Sequence, residues 1–225
     1  MDTPLIEPLL LSLQVSFAAS LFVVPAGTLL GFVLSRYQFP GRTLLDAFLT
    51  LPLVLPPTVT GYYLILLLGR NGWIGALLLQ ITGWSIPFTW HAASFAAAIV
   101  SLPIMVRSAS AALGSVDHQL EEASYCLGKG RLRTFLRVTL PLAARGLLAG
   151  GVLSFSRGLG EFGATVMLAG NIPGRTQTMP LAIYEAVASG QDDRALALAI
   201  LLTLVSVVVV ILAARFEPRR PSAAS

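Results

Sequence analysis

Long apolar segments with almost no charge constrain this chain more than any other feature. Each is close to the roughly 20 residues that cross a bilayer as a helix. Two shorter segments, 73–88 and 176–190, are interrupted by Pro87 and Pro180 and are expected to be interfacial or re-entrant helices. We therefore predict an all-α membrane protein with about five transmembrane helices. The predicted spans are 9–34, 44–68, 88–106, 146–169 and 195–214.

The composition supports this class and argues against several others. Only 12% of the residues are charged, whereas soluble proteins carry about 25%, so membrane lipid is expected to cover much of the chain. The net charge of +4 comes from basic residues beside the spans, which indicates membrane orientation rather than nucleic-acid binding. Cys126 is the single cysteine, and His91 and His118 fall on opposite sides, so we expect no metal and no cofactor.

Basic residues gather at the span ends on one side of the predicted membrane. The opposite side has only Arg70, Arg175 and Arg194. The rich side is predicted to be cytoplasmic, which places the N-terminus outside and the C-terminus in the cytoplasm. We expect one transmembrane domain over 8–216 and a polar cytoplasmic tail over 217–225. The residues of the rich side are Arg36, Arg42, Arg107, Lys129, Arg131, Arg133, Arg137, Arg145, Arg215, Arg219 and Arg220.

The loop between the third and fourth spans shows helical periodicity broken by glycine. Asp117 is a predicted N-cap, and Glu121 and Glu122 suit the positive end of the helix dipole that follows. A second short helix is predicted over 131–138, and Pro141 is expected to open the fourth span. Periodicity alone is equally compatible with a loop lying on the inner membrane surface. An apolar stripe is formed by Leu120, Ala123 and Leu127.

This loop resembles the EAA loop of ABC importer permeases. The family pattern is Glu-Ala-Ala, then Gly, then Ile-x-Leu-Pro, and the chain has Ser124 for the second alanine and Val138 for the isoleucine. The resemblance implies a type I ABC importer permease fold, in which the loop is a coupling helix that docks on a cytoplasmic ABC ATPase dimer. The coupling residues that it implies are Glu121, Glu122, Ala123, Ser124, Gly128, Leu140 and Pro141.

Three further segments, 51–61, 157–164 and 170–184, are similar to permeases of molybdate (tungstate) ABC transporters. That likeness implies import of molybdate or tungstate across the bacterial inner membrane, with an extracytoplasmic oxyanion-binding protein and a second permease copy as partners. Permeases for sulfate and thiosulfate share parts of these signals and are the alternative. The residues alone do not choose among tetrahedral oxyanions.

The sequence offers no chemistry of its own for hydrolysis. It lacks a P-loop of the form G-x-x-x-x-G-K-[ST], so ATP must be hydrolysed by a partner. An intramembrane enzyme would need H-E-x-x-H or a nucleophile with its base, and neither is found. A secondary transporter would show inverted repeats and needs no EAA loop. We therefore expect a transport subunit without catalytic residues.

Prolines interrupt the second span and are followed at once by hydroxyl side chains. Pro52, Pro56 and Pro57 leave helix carbonyls without partners, which a membrane tolerates only where backbone is buried or lines a cavity. The break is either a structural kink or a flexible wall of the translocation path. The path reading makes candidates of Pro56, Pro57, Thr58 and Thr60.

The fourth span contains two ionisable residues and a ladder of small ones. Arg157 and Glu161 are four apart and are predicted to share a helix face, turned to protein or water because lipid exposure would cost roughly 2.5–3.5 kcal/mol each. They are either a buried structural pair or part of the path. The ladder predicts close packing by a helix of this chain or of a second copy, and consists of Gly146, Gly150, Ser154 and Gly158.

Overall fold

The computed structural model describes residues 5–215, and these form helices joined by short loops without a β-strand. The predicted tail at 217–225 and the predicted domain end at 216 lie outside the described residues. The helices are α1 (Ile6–Arg36), α2 (Arg42–Val54), α3 (Pro57–Leu68), α4 (Trp73–Thr82), α5 (Trp90–Gly114), α6 (His118–Cys126), α7 (Arg131–Thr134), α8 (Leu140–Leu159), α9 (Gly163–Ala169), α10 (Met179–Ala188) and α11 (Asp192–Ala214).

Four helices in the described part are long and apolar enough to cross a bilayer. They are α1, α5, the continuous helix Arg131–Leu159 and the 192–212 part of α11. The pair α2 and α3 supplies a fifth candidate span, although the two are strongly bent against each other. The prediction of an all-α membrane protein with about five spans is confirmed.

The second span, predicted over 44–68 with an interruption at its prolines, is two helices. α2 ends at Val54, α3 begins at Pro57, and their axes differ by 113°. Proline lacks an N–H group and pushes the preceding residue out of helical geometry. Leu55 and Pro56 accordingly have extended ψ angles of 142° and 135°. The adjacent prolines therefore break the span, whereas Pro52 is accommodated inside α2.

The fourth span also differs from the prediction at both ends. Its helix starts at Arg131, so Pro141 lies inside a continuous helix instead of opening it. A π-helical turn at Phe135–Thr139 precedes the proline, and the Leu140 N–H bonds the Phe135 carbonyl five residues back. The helix then ends at Leu159, and the chain resumes as α9. The predicted span over 146–169 is thus broken in its C-terminal half.

Glycine and alanine let α1, α5 and α8 pack backbone to backbone. A Cβ atom at Gly27 would lie 2.5 Å from the Met105 Cγ, and one at Gly31 would lie 2.6 Å from the Ala109 Cβ. Neither distance is sterically possible without separating α1 from α5. Small residues at such contacts are how helices associate in lipid, where apolar burial gives little driving force.

The small-residue ladder of α8 packs against α5 of the same chain. A Cβ atom at Gly146 would lie 2.6 Å from the Ala112 Cβ, and one at Gly150 would lie 2.5 Å from the Ser108 Cβ. These contacts decide between the two partners left open by the sequence. Gly158, at the far end of the ladder, has more room, because its nearest neighbour would be 3.7 Å away.

The two short apolar segments form helices of ten residues each, α4 and α10, too short to cross a bilayer. α10 is tied to α1 by the Met179 N–H, which donates to the Ser12 Oγ at 2.7 Å. Its inner face is buried through Leu181, Ala182 and Ala186. The re-entrant or interfacial placement of these helices stays a prediction, since it concerns the bilayer.

The α5–α8 contact predicts different outcomes for two glycines of one helix. We expect Gly150→Ala to lower the free energy of unfolding by about 1–3 kcal/mol, because the added methyl group forces the helices apart. Gly158→Ala is the matched control and should leave stability close to that of the wild type. Thermal unfolding of purified protein in detergent measures both. Equal midpoints for the two variants would contradict the packing.

Candidate functional site

The predicted coupling loop forms a helix with a defined start and end. The Asp117 side chain accepts a hydrogen bond from the Gln119 N–H at 2.9 Å and caps α6, as predicted. At the other end Gly128 has φ +74°, and the Lys129 N–H bonds the Ser124 carbonyl at 3.2 Å. A Cβ atom at Gly128 would meet nothing within 4 Å. The left-handed backbone, and not a lack of space within this chain, therefore favours glycine there.

The apolar stripe of α6 is exposed at the surface of the chain. Leu127 is 76% exposed, and Leu120 is also exposed. Beside the stripe lies a cavity of 430 Å³ bordered by the start of α8 and by two basic side chains. The surface offered here is apolar with a positive edge. We call it the loop groove, and its lining includes Leu120, Ala123, Leu127, Lys129, Arg137, Pro141 and Leu142.

The two adjacent glutamates of α6 have opposite environments. Glu121 is 6% exposed, and its Oε1 accepts hydrogen bonds from the Arg36 Nη2 at 2.8 Å and the Thr139 Oγ1 at 2.6 Å. Glu122 has a side chain that is 64% exposed, and its Oε1 lies 3.1 Å from the His118 Nδ1. Glu121 therefore binds the membrane-spanning part, whereas Glu122 is exposed and does not line the loop groove.

The predicted coupling residues thus divide into two sets. Ser124 joins Glu121 on the inner side, where its Oγ lies 2.9 Å from the Thr134 Oγ1. Leu140 is half-buried. The residues left outside and exposed are Glu122, Ala123, Gly128 and Pro141.

Arg36 is the most important residue of this site that the sequence did not predict. Its Nη2 also donates to the carbonyl oxygens of Leu113 at 3.1 Å and Val116 at 3.5 Å. One guanidinium thus joins the C-terminal ends of α1 and α5 to α6. From the sequence it was counted only as a positive charge beside a span. Because 85 residues separate Arg36 from Glu121, no local pattern relates them.

The ion pair predicted in the fourth span forms, but with a different geometry from that predicted. The Arg157 Nη1 lies 2.8 Å from the Glu161 Oε2. Glu161 follows the end of α8, so the two residues do not share one helix face. Its other oxygen accepts the Ala164 N–H at 2.8 Å, which satisfies a free donor at the start of α9. Glu161 is 2% exposed and Arg157 is 30% exposed at its side chain.

The two segments predicted to line a path lie against each other. A Cβ atom at Gly163, just after the α8–α9 break, would be 3.0 Å from the Pro57 Cβ and from the Thr58 backbone nitrogen. Pro56 and Thr58 are exposed, and Pro57 is half-buried. Thr60 is buried, and its hydroxyl has no hydrogen-bond partner within the described residues. The α2–α3 break and the α8–α9 break therefore form one irregular region.

Comparison with known proteins identifies the class to which this bundle of membrane helices belongs. The model of the family described as binding-protein-dependent transport system inner membrane component matches residues 24–221. The chain belongs to this family and is a multi-pass membrane protein.

Individual relatives narrow the group. The chain is 49% identical over 181 residues to the molybdenum transport system permease protein ModB of Escherichia coli strain K12, which covers 80% of this chain and 79% of that protein. It is 38% identical over 212 residues to the sulfate transport system permease protein CysW of Synechococcus elongatus, covering 92% and 74%. Among solved structures, an inward-facing MetNI methionine ABC transporter superposes with a TM-score of 0.66, covering 93% of this chain and 90% of that one. At 20% identity this last likeness concerns the fold alone.

The geometry of the ion pair predicts the outcome of removing one partner. We expect Arg157→Gln to leave the buried Glu161 carboxylate uncompensated and to lower the free energy of unfolding by about 3 kcal/mol, because breaking a buried pair on one side is costly. Adding Glu161→Gln should restore part of that loss. Abundance in the membrane and the thermal midpoint measure both variants. If Arg157→Gln folds normally and only oxyanion uptake stops, Arg157 belongs to the path instead.

Proposed function

We propose that this chain is the permease subunit of an ABC importer that carries molybdate across the bacterial inner membrane, driven by ATP hydrolysis on a separate subunit. The identity to a molybdenum permease is 49%, against 38–42% for sulfate permeases, which supports molybdate over sulfate. Tungstate is a tetrahedral oxyanion of the same charge and is proposed as a second substrate. The chain supplies the path and no catalytic group.

The loop groove is the observation that carries the coupling role. An exposed apolar helix face costs free energy in water, so a protein partner that covers it is favoured. Glu122 is exposed on another side of the same helix, where a basic group of an ATPase can meet it. Gly128 ends the helix without a side chain that would hold a partner away. We propose that an ABC ATPase dimer docks here through Glu122, Ala123, Gly128 and Pro141, while Leu140 supports the groove from the α8 side.

Orientation and assembly follow from the same proposal. Arg36 and the loop lie together at one end of the bundle, and the positive-inside rule places that end in the cytoplasm and the N-terminus outside. A reporter fused after Arg131 should then read cytoplasmic, and a periplasmic reading would contradict the orientation. About five spans form only part of the wall of a translocation path, so we propose that two permease chains form a homodimer. An extracytoplasmic oxyanion-binding protein is proposed to deliver the substrate to this dimer. Native mass measurement of the active complex should find two permease chains.

The joined breaks of α2–α3 and α8–α9 are proposed as the wall of the path. Irregular backbone at membrane depth is tolerated where it lines a cavity, and half-helix ends there present polar groups. Arg157 is partly exposed and cationic, which suits an oxyanion passing by. Thr58 adds an exposed hydroxyl at the neighbouring break. Path residues are therefore proposed as Pro56, Pro57, Thr58, Thr60, Arg157 and Glu161.

Substrate identity is tested in cells that lack their own molybdate and sulfate permeases. We expect this chain, expressed with its ATPase and binding protein, to restore molybdate uptake. A tenfold excess of tungstate should compete, because both ions are tetrahedral oxyanions, and sulfate should not. Radiolabelled uptake measures each case. Restored sulfate uptake without molybdate uptake would favour the sulfate alternative.

Two glycines of the loop provide a matched test of docking. We expect Gly128→Asp to leave the permease inserted while binding of the ATPase weakens by about 1.4 kcal/mol or more, which is tenfold in affinity. Gly130→Asp is the control, because Gly130 has an ordinary φ of −70° and also has nothing within 4 Å. Glu122→Ala should give a weaker form of the Gly128→Asp defect. Co-purification from detergent and uptake in cells are measured together, and full binding with Gly128→Asp would refute the docking assignment.

A further inference from the structure

We infer that Glu121 is the positioning residue through which displacement of α6 reaches the membrane-spanning helices. This inference rests on the proposed function, because it assumes that α6 receives motion from an ATPase. It assigns the role to the inward glutamate and its two partners, Arg36 and Thr139. The outward glutamate, Glu122, keeps the docking role.

Polar side chains provide the inward attachment of α6. The buried residues of this helix are Glu121 and Ser124, while its apolar side chains face the loop groove. The Ser124 hydroxyl bonds only Thr134, which lies in α7, the next helix along the chain. Glu121 alone among these contacts reaches a helix from the N-terminal half of the chain. The link from α6 to α1 therefore runs through one carboxylate.

A single oxygen atom of Glu121 receives both partners. The Arg36 Nη2 and the Thr139 Oγ1 donate to Oε1 at 2.8 Å and 2.6 Å. Charge-assisted hydrogen bonds of this length are roughly twice as strong as neutral ones and are directional. The side chains of Arg36 and Glu121 are largely shielded from solvent, so salt screens the pair weakly. A shift of α6 must therefore move both donors or break short bonds.

The two donors lie at positions from which a displacement can propagate. Arg36 is the last residue of α1. This helix packs directly against α5 at Gly27 and Gly31, where no side chain of α1 separates the two helices. Thr139 closes the π-helical turn, where helix hydrogen bonding departs from the regular pattern before Pro141. Such turns mark places where a helix bends. The continuous helix then leads from Thr139 to Arg157 and the α8–α9 break.

The adjacent glutamates allow one chemical change to be compared at two neighbouring positions. We would reconstitute the full complex of permease, ATPase and binding protein in vesicles and measure molybdate taken up per ATP hydrolysed, together with the ATPase retained per permease. For Glu121→Gln we expect the ATPase to be retained and uptake per ATP to fall about fivefold or more, the lower end of typical coupling between sites. Glu122→Gln should instead lower the amount of ATPase retained.

Thr139→Val is the second variant, and it removes only the hydroxyl link to α8. It should lower uptake per ATP in the same direction and less strongly, because the Arg36 pair remains. Both measures are taken per assembled complex, so a loss of folded protein does not change them. A fall in abundance with unchanged uptake per ATP would show a purely structural tie and overturn the inference.

Two other results would also overturn it. Loss of the ATPase with Glu121→Gln would place this residue in the docking surface, and normal uptake per ATP with both Glu121→Gln and Thr139→Val would exclude the link. The wild-type complex in the same vesicles separates this failure from failure of the proposed function. If the wild type takes up no molybdate with ATP, the proposed function itself is wrong, whereas equal pumping by wild type and variants refutes only the role of Glu121.

Discussion

Close backbone packing of α1 and α8 on α5 is the constraint on which the rest of this structure depends. In lipid the gain from burying apolar surface between helices is small, so contacts must come from shape. In the most apolar stretch of α5, 56% of the residues are buried, whereas 11% of the residues are buried in that of α11. α5 is therefore the centre, and its alanines set the helix spacing. The ends of α1 and α5 are held close enough for Arg36 to bridge them because this spacing is short.

The helix breaks leave polar groups without helical partners, and the structure shows how some of these groups are satisfied. The α8–α9 break frees backbone donors, and Glu161 accepts one of them from Ala164. The carboxylate then needs a cation, which Arg157 supplies. At the other break, proline removes donors outright, since Pro56 and Pro57 have no N–H. The bond from Ala164 to Glu161, and the need of that carboxylate for a cation, account for the ion pair on structural grounds alone. The exposed part of the Arg157 side chain leaves room for a role in the path as well, and such a role is compatible with the structural one.

The sequence could predict those parts of the fold that depend on local pattern. Span number follows from apolar length, and the loop helix follows from Asp117, its periodicity and Gly128, all within twelve residues. The 113° angle between α2 and α3 could not be predicted, because it depends on the packing of α3 against α9. The sequence predicts Glu161 on the same helix face as Arg157, because residues four apart share a face of a helix. The spacing alone does not indicate that α8 ends at Leu159, before Glu161. The path and docking roles remain predictions.

The two glutamates of α6 show the limit most clearly. Both fit the positive end of a helix dipole, and nothing local distinguishes them. Their environments differ because Arg36, far away in the sequence, occupies only one side of α6. The result is a helix with its polar contacts inside and its apolar stripe outside, the reverse of an ordinary surface helix. Covering a residue such as Leu127 contributes about 1.5–3 kcal/mol, and this gain arises only when a partner docks. Directional polar bonds on the inner side keep the orientation of α6 fixed while the apolar side is free to be covered and uncovered.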